Sequence, residues 1–354
     1  MISGIYLIKK NYIESNHMKN QNRILLGHGS GGKLSHRLVS DLILKYFNHI
    51  ELAKLNDAAR LSFIGENLVF STDSYVVDPI FFPGGDIGKL AICGTVNDVA
   101  MMGAKPLYLS VGLIIEEGFA LSDLELILDS MRVSAAEADI EIVTGDTKVV
   151  PKGAADKIFI NTAGVGVSFS GINLSGQNAQ VGDKIIINGT IADHGITVMA
   201  RRGGLELDLE IKTDSAPLNH MIREILNKVP NVHVMRDPTR GGVATTLNEI
   251  AGQSEVGIKL TEKNIPVSEQ VNAVCEILGL DPLYIANEGK VLVFSPADHA
   301  EDVLSVMRTD KYGQNACIIG EVVNEPRGKV YLETMIGGQR MVDMLAGEQL
   351  PRIC

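Results

Sequence analysis

Runs of residues with the spacing of strands and runs with the spacing of helices alternate irregularly along this chain, separated by glycine turns. The turns follow no single βαβ period, which favours an α+β fold of two domains over one doubly wound sheet. Because aromatic residues make up only 5% of the chain, we expect an aliphatic core. The pattern predicts helices at 34–47, 88–102, 122–138, 217–228, 242–253 and 267–278, and strands at 67–72, 107–116, 140–144, 157–170, 184–188, 291–295 and 328–333.

A length of 354 residues also favours two domains. Residues 171–181 are polar and rich in glycine, asparagine and glutamine, as expected of a domain boundary. We therefore predict an N-terminal domain at 22–172 and a C-terminal domain at 173–345. Residues 1–21 are expected to form a disordered extension, and residues 346–354 a flexible tail.

Charge and cysteine usage exclude several classes of protein. The net charge of −11 argues against a broad nucleic-acid or membrane-surface footprint. No apolar run reaches the roughly 18 residues that a membrane span needs. The four cysteines lie far apart, without the spacing of a zinc site, which is typical of a reducing compartment. We therefore expect a cytoplasmic protein.

The glycine-rich segment GHGSGGK at residues 27–33 is a candidate phosphate-binding loop. Gly29, Gly31 and Gly32 let backbone N–H groups approach phosphate oxygens, and Lys33 adds a positive charge. Leu34 stands where a P-loop needs a hydroxyl, and no βαβ unit supports a dinucleotide fold. The alternative is a flexible loop that caps the following helix.

Acidic residues beside glycines form a second pattern, at Asp73, Asp98, Asp146 and Asp237. Several carboxylates at the ends of elements, without a histidine or cysteine grouping, favour Mg²⁺ that bridges phosphates. Each aspartate taken alone is equally explained as a helix cap or a turn residue. Glu288, in the NEGK segment, is either a base or a solvated turn residue.

Cys354 is the last residue of the sequence, in the segment PRIC. An exposed thiol is an oxidation liability, and a neighbouring terminal carboxylate would raise its pKa. We therefore expect this cysteine to receive a group that is activated elsewhere. The alternative is an inert cysteine at a ragged end.

Six segments in this order resemble the HypE family of hydrogenase-maturation carbamoyl dehydratases, from about Asn22 to Cys354. They are GHGSGGK, STDSYVVDP, GKLAICGTVNDVAMMGAKP, GDTKVV, RDPTRGGVATTLNEIA and PRIC. The middle segments alone would indicate only the wider superfamily of aminoimidazole-ribonucleotide and selenophosphate synthetases. The PRIC segment selects the HypE family within it.

The resemblance implies a PurM-like ATP-binding fold, in which the N-terminal domain dimerises through its sheet and ATP lies in a cleft. It implies magnesium ligands at Asp73, Asp98 and Asp237. The nucleotide-site positions that it implies are Gly29, Gly31, Gly32, Lys33, Asp73, Asn97, Asp146 and Thr147. It implies that Cys354 is the carrier. Elimination of the oxygen then needs a base near the nitrogen, and Lys148 and Glu288 are our candidates.

In that family HypF carbamoylates the cysteine, and ATP-dependent dehydration converts the carbamoyl group to a thiocyanate. The cyanide then passes to a HypC–HypD complex for the Fe(CN)₂CO centre of [NiFe]-hydrogenase. The resemblance therefore predicts a tail with a tucked-in and an extended state. Two alternatives stay open: a synthetase of the same superfamily that acts on a free small molecule, and a non-catalytic carrier or scaffold.

Overall fold

A computed structural model describes residues 23–25, 38–47, 49, 67–203, 211–344 and 352–354. The predicted extension at 1–21, the glycine-rich loop at 27–33 and residues 346–351 of the predicted tail lie outside this part of the chain. A π-helical segment at Leu38–Ile43 continues into a short α-helical turn at Leu44–Tyr46, within the helix predicted at 34–47. The seven further α-helices are α1 (Ile87–Met101), α2 (Leu121–Ala138), α3 (Asp193–Arg202), α4 (Asn219–Lys228), α5 (Gly242–Ser254), α6 (Glu269–Leu278) and α7 (Ala300–Thr309).

The strands divide between two main sheets and one short hairpin. They are β1 (Leu68–Tyr75), β2 (Phe81–Phe82), β3 (Gly85–Asp86), β4 (Ala104–Glu116), β5 (Glu141–Val150), β6 (Ile158–Ser168), β7 (Lys184–Ile187), β8 (Val234–Arg236), β9 (Gly257–Thr261), β10 (Leu292–Ser295), β11 (Cys317–Val323), β12 (Lys329–Glu333) and β13 (Gln339–Val342).

The first sheet has the strand order β1-β6-β4-β5, with only the β4–β5 pair parallel. Helix α1 packs closely on β6 because glycines face it. A Cβ atom on Gly166 would lie 2.5 Å from Val99, and one on Gly164 would lie 2.8 Å from Thr95. The small residues of α1 and the glycines of β6 therefore fit one another, and this contact fixes α1 against the sheet.

The opposite face of the first sheet carries exposed apolar side chains. Leu68 is 56% exposed and Phe70 is 65% exposed on β1, and Ile114 on β4 is 43% exposed. Side chains alternate between the two faces of a strand, so these residues point away from α1. We call this surface, formed by Leu68, Phe70 and Ile114, the outer face.

The second sheet has seven strands in the order β13-β12-β9-β11-β7-β10-β8, and only the β9–β12 pair is parallel. One of its faces buries aliphatic side chains of α5. The other face buries side chains of α4 and α7, together with Ala100 and Met101 from the end of α1. The first domain thus packs directly on the second. The predicted two-domain α+β fold is confirmed, while the boundary at 172/173 stays a prediction.

Among the described residues, no helix has both the length and the apolar character needed to cross a membrane.

Candidate active site

Three of the predicted aspartates come together where the two domains meet. Asp73 on β1 lies opposite Thr162 of β6, whose hydroxyl donates to a carbonyl of α1, so Asp73 points to the α1 side of the sheet. Asp98 lies on α1, and the Ser71 hydroxyl donates to its carboxylate over 2.8 Å. Asp237 follows β8 of the second sheet, within electrostatic range of the other two aspartates.

The three carboxylates repel one another in a half-buried cleft. Burial raises the pKa of Asp98, and the neighbouring Asp73 raises it further. Burial also raises the pKa of Asp237 to about 7, with Asp98 and Asp73 adding to the shift and Arg236 opposing it. Negative charge in this cleft is therefore incompletely balanced, and a bound cation would relieve the repulsion.

Carboxylate oxygens of this kind are ligands that suit Mg²⁺. Within the described ranges, no group of three or more His, Cys, Asp or Glu side chains is arranged to hold a metal ion. The described carboxylates therefore do not form a closed protein cage. They would suit a Mg²⁺ ion whose coordination is completed by phosphate oxygens and water, which this ion usually retains.

Glu288 is buried beside the three aspartates. It is 4% exposed, and its Oε1 atom has no hydrogen-bond partner among the described residues. Burial raises the pKa of this carboxyl group well above its usual range, and the nearby aspartates, Asp214 foremost, raise it further. A buried carboxyl oxygen without a partner is costly, so Glu288 remains a candidate for a role in chemistry.

The Asp214 carboxylate binds the backbone of the turn that carries Glu288. The Asp214 carboxylate accepts hydrogen bonds from the N–H groups of Glu288 at 3.2 Å and Gly289 at 3.3 Å. The same carboxylate forms an ion pair with Lys290 at 3.0 Å, in which both side chains are at least nine-tenths buried. A Cβ atom at position 289 would lie 1.8 Å from the Asp214 carbonyl oxygen, so only glycine fits there.

Asn97 was predicted to lie at the nucleotide site. Its side chain instead binds backbone groups of the second domain. Its amide nitrogen donates to the carbonyl oxygens of Ala216 at 3.0 Å and Glu288 at 3.3 Å. Its amide oxygen accepts from the N–H group of Leu218 at 2.8 Å. The side chain is buried, and these bonds tie α1 to the second domain. Asn97 therefore positions the Glu288 backbone, and its amide is already engaged without a nucleotide.

The structure does not bring Asp146 and Lys148 to this cleft. Asp146 lies opposite Gly112, in the row of residues that points to the outer face, and it is on β5 at the far edge of the sheet from β1. Its carboxylate pairs with Lys148 at 2.8 Å, and both side chains are more than half exposed. Thr147, between them, points to the opposite face. Within one chain, Lys148 is therefore not beside Glu288.

Cys354 lies in a groove with the two residues before it, next to the cleft. The N–H group of Val76, one residue after β1, donates to the Cys354 carbonyl oxygen over 3.1 Å, and that of Asp78 donates to the Arg352 carbonyl oxygen over 3.2 Å. Ile353 is buried in the core of the first domain, and half-buried Cys354 packs against that core. The tucked-in state of the predicted tail is the one observed.

The second wall of this groove comes from α3. His194 is fully buried, and its Nε2 atom lies 2.8 Å from the Ile353 carbonyl oxygen. Because a carbonyl only accepts, Nε2 carries the hydrogen, and Nδ1 accepts from the Thr213 hydroxyl at 2.8 Å. Burial lowers the pKa of His194, which keeps this neutral form. Arg202, at the end of α3, donates to the Arg352 carbonyl oxygen over 2.7 Å.

Sequence patterns did not indicate a role for His194, Arg202 or Asp214. His194 has no metal or triad spacing, and Arg202 is one of two adjacent exposed arginines. Asp214 lies in the short polar segment 212–215, whose local pattern gives no sign of a buried ion pair. Their roles depend on contacts between distant segments, which local patterns do not encode.

Comparisons with known proteins agree with this architecture. The N-terminal and C-terminal domains of AIR synthase related proteins match residues 55–168 and 180–333. Carbamoyl dehydratase HypE of Cupriavidus necator is 51% identical over 333 residues, or 94% of this chain and 95% of that protein.

Solved structures agree as well. A crystal structure of hydrogenase maturation protein HypE in complex with ATP is 52% identical and superimposes with a TM-score of 0.91, over 93% of this chain and 99% of that one. A HypE–HypF complex is 48% identical, with a TM-score of 0.77, over 87% of this chain and 99% of that one. The chain therefore belongs to the HypE family of carbamoyl dehydratases, within the AIR synthase related proteins.

Proposed function

We propose that this chain converts an S-carbamoyl group on Cys354 to a thiocyanate at the expense of ATP, for the cyanide ligands of [NiFe]-hydrogenase. The observation that carries the proposal is the placement of Cys354, whose main-chain oxygen accepts from Val76, the residue directly after the strand that bears Asp73. On the other side, His194 binds Ile353 and lies within electrostatic range of Asp214, which binds the Glu288 backbone. Family membership supports it, because the related proteins are carbamoyl dehydratases and one has been solved with ATP.

The oxygen of a thiocarboxamide is a poor leaving group. Transfer of a phosphoryl group from ATP to that oxygen, with loss of one proton from nitrogen, gives a phosphorylated imidate and ADP. Cleavage of the C–O bond releases phosphate, and loss of the second N–H proton leaves S–C≡N. The protein must therefore balance phosphate charge at one end of the group and accept protons at the other.

The charge-balancing role falls to the aspartate cleft. Asp73, Asp98 and Asp237 would hold Mg²⁺, which would neutralise phosphate charge when bound. The predicted phosphate loop with Gly29, Gly31, Gly32 and Lys33 lies outside the described residues, and its role stays part of the proposal. Asn97 acts by fixing the backbone of Glu288.

Glu288 is the proposed base for the N–H protons. It is the buried carboxyl group in the cleft whose Oε1 atom has no hydrogen-bond partner among the described residues. Burial is the main cause of its raised pKa, and the neighbouring aspartates add to it. A cation that balanced their charge would lower the pKa of Glu288 and so favour proton transfer from the substrate nitrogen.

We also propose that the chain forms a homodimer through the outer face. Leu68, Phe70 and Ile114 give this face exposed apolar area that a second copy would cover. Asp146 and Lys148 project from the same side of the sheet. Any part that they play in the reaction therefore comes from the subunit across the interface, which mixed dimers carrying Lys148→Ala in one subunit and Glu288→Gln in the other would test.

HypF is the proposed carbamoyl donor, since a related protein has been solved as a HypE–HypF complex. A HypC–HypD complex is the proposed cyanide acceptor. Cys354 must receive the carbamoyl group from HypF and pass the cyanide to the HypC–HypD complex. Both transfers require its thiol to leave the groove, because the cysteine is partly buried there.

Mass spectrometry of the peptide that contains Cys354 tests the reaction. After incubation with HypF, carbamoyl phosphate and ATP, we expect the carbamoyl adduct to lose the mass of one water when ATP is present. Cys93, Cys275 and Cys317 in the same digest serve as internal controls. Dehydration without ATP, or modification of a different cysteine, would refute the proposal.

A further inference from the structure

Two main-chain hydrogen bonds hold the segment in the groove around Cys354, although Arg352 has a left-handed backbone at φ 53° and the segment is therefore not an added strand. Donation from Val76 to Cys354 and from Asp78 to Arg352 joins positions two apart on each segment, in antiparallel order. Main-chain bonds of this kind supply affinity, while pockets for alternate side chains supply specificity.

The groove also recognises side chains. The Arg352 guanidinium pairs with Asp156 at 2.6 Å and donates to the Val76 carbonyl oxygen over 2.9 Å. Ile353 points the other way and is only 3% exposed, within the core of the first domain. Asp156 binds a cationic side chain, and the apolar pocket next to it binds an aliphatic one. The groove therefore selects the order Arg-Ile.

The second domain closes the groove over the peptide backbone. Arg202 donates to the carbonyl oxygens of both Asp78 and Arg352, so it bridges the groove wall and the bound segment. His194 donates to the Ile353 carbonyl oxygen. The contacts described are all made by the tripeptide Arg352-Ile353-Cys354 itself, so their geometry does not depend on how the tripeptide is attached.

We propose that this groove is a sequence-specific peptide site that binds the tripeptide Arg-Ile-Cys in trans, from a second copy of this chain. The inference rests on the proposed function only in that the bound cysteine is the carrier of the carbamoyl group. Attachment in cis raises the local concentration of the tripeptide, and a copy with an empty groove can take the tripeptide of another copy.

A full-length chain with Ile353→Asp provides an empty groove, because the buried pocket cannot hold a carboxylate. A fluorescent peptide of sequence Leu-Pro-Arg-Ile-Cys is titrated with this variant under reducing conditions without ATP, and its anisotropy is measured. We expect saturable binding, and at least about tenfold weaker binding to the wild-type chain, whose own tripeptide competes. Thermal unfolding checks that the variant is folded, and Arg352→Glu serves as a second way to empty the groove.

Peptide and protein variants test the specificity. Leu-Pro-Arg-Asp-Cys and Leu-Pro-Ala-Ile-Cys are expected to bind at least about tenfold more weakly, because each loses a buried or charge-paired contact. Arg202→Ala in the empty-groove chain is expected to weaken binding about fivefold. Its control is Arg201→Ala, the neighbouring exposed arginine of α3.

Failure of the peptide to saturate either empty-groove variant, or equal binding of the altered peptides, would overturn the inference. Because the measurement contains neither ATP nor a carbamoyl group, this result would leave the proposed dehydration untouched. Loss of dehydration with intact peptide binding would count against the proposed function alone.

Discussion

Replacement of Asp214 by asparagine tests the link between the buried ion pair and the position of Glu288. The substitution keeps the size of the side chain but removes the charge that faces Lys290 at 3.0 Å. It also weakens the acceptor for the N–H groups of Glu288 and Gly289. The buried ammonium group of Lys290 would then lose its ion-pair partner, with Asp193 left within electrostatic range.

The expected loss is about 3 kcal/mol in the free energy of unfolding, because removal of one partner of a buried pair leaves the other charge uncompensated. Burial raises the pKa of Asp214, but Lys290, His194 and the hydrogen bond from the Glu288 backbone together outweigh it, and the pKa is lowered. A folded-state pKa below the unfolded one stabilises the protein above the unfolded value. The difference between wild type and variant should therefore shrink as the pH falls through the lowered pKa.

Urea denaturation at pH 7 measures the loss, and Asp146→Asn serves as the matched control. Asp146 forms an equally short pair with Lys148, but on the surface, where such pairs contribute at most about 1 kcal/mol. The double variant Asp214→Asn/Lys290→Met should lose less stability than the sum of the single variants. A loss for Asp214→Asn no greater than that for Asp146→Asn, or additive single losses, would refute the reasoning.

Other predictions follow from the same site. Gly289→Ala should destabilise the protein by about 3 kcal/mol in urea denaturation, because its Cβ would overlap the Asp214 carbonyl; Gly252→Ala, whose Cβ meets no atom within 4 Å, should be neutral or stabilising. Asp237→Asn should raise the unfolding temperature of the nucleotide-free protein most above pH 7 and have little effect below about pH 4, since the cost of the raised pKa of about 7 grows between these two values. For the same reason, calorimetry of Mg²⁺ binding at pH 6.5 in two buffers should show proton release that Asp237→Asn reduces. Glu288→Gln should accumulate the carbamoyl adduct of Cys354 without the loss of water in mass spectrometry, and unchanged conversion would exclude Glu288 as the base.

Sequence patterns predicted some of the elements that bear the site, but they predicted neither β8, which precedes Asp237, nor α3, which bears His194. The predicted helix at 88–102 is α1 (Ile87–Met101), and the predicted strand at 157–170 contains β6 (Ile158–Ser168). Strand β11 (Cys317–Val323) was not predicted. Its Gly320 sits at an irregularity in the pairing with β7, where a Cβ would lie 2.2 Å from the Lys259 carbonyl oxygen, and this glycine interrupts the apolar pattern.

The same distinction holds within the site. An acidic residue stands out when it lies at the end of an element or within its apolar part. Three site residues could therefore be predicted from the sequence: Asp73, Asp98 and Asp237. The separation of Asp146 and Lys148 from that cleft could not be predicted, because the face on which a strand residue lies depends on register, and a shift of one residue reverses it. Register is fixed here by pairing with β4, a strand about 30 residues earlier in the chain.

The position of His194 has a consequence for the way the carrier cysteine moves. Val76 and Asp78 hold the tripeptide from the first domain, while His194 and Arg202 hold it from the second. The segment that bears the substrate thus joins the two domains of its own enzyme. When Cys354 leaves to meet a partner protein, these hydrogen bonds break and the domains lose a shared attachment. Each catalytic cycle would then break and re-form the hydrogen bonds of this segment, so that every turnover would include a local unfolding step.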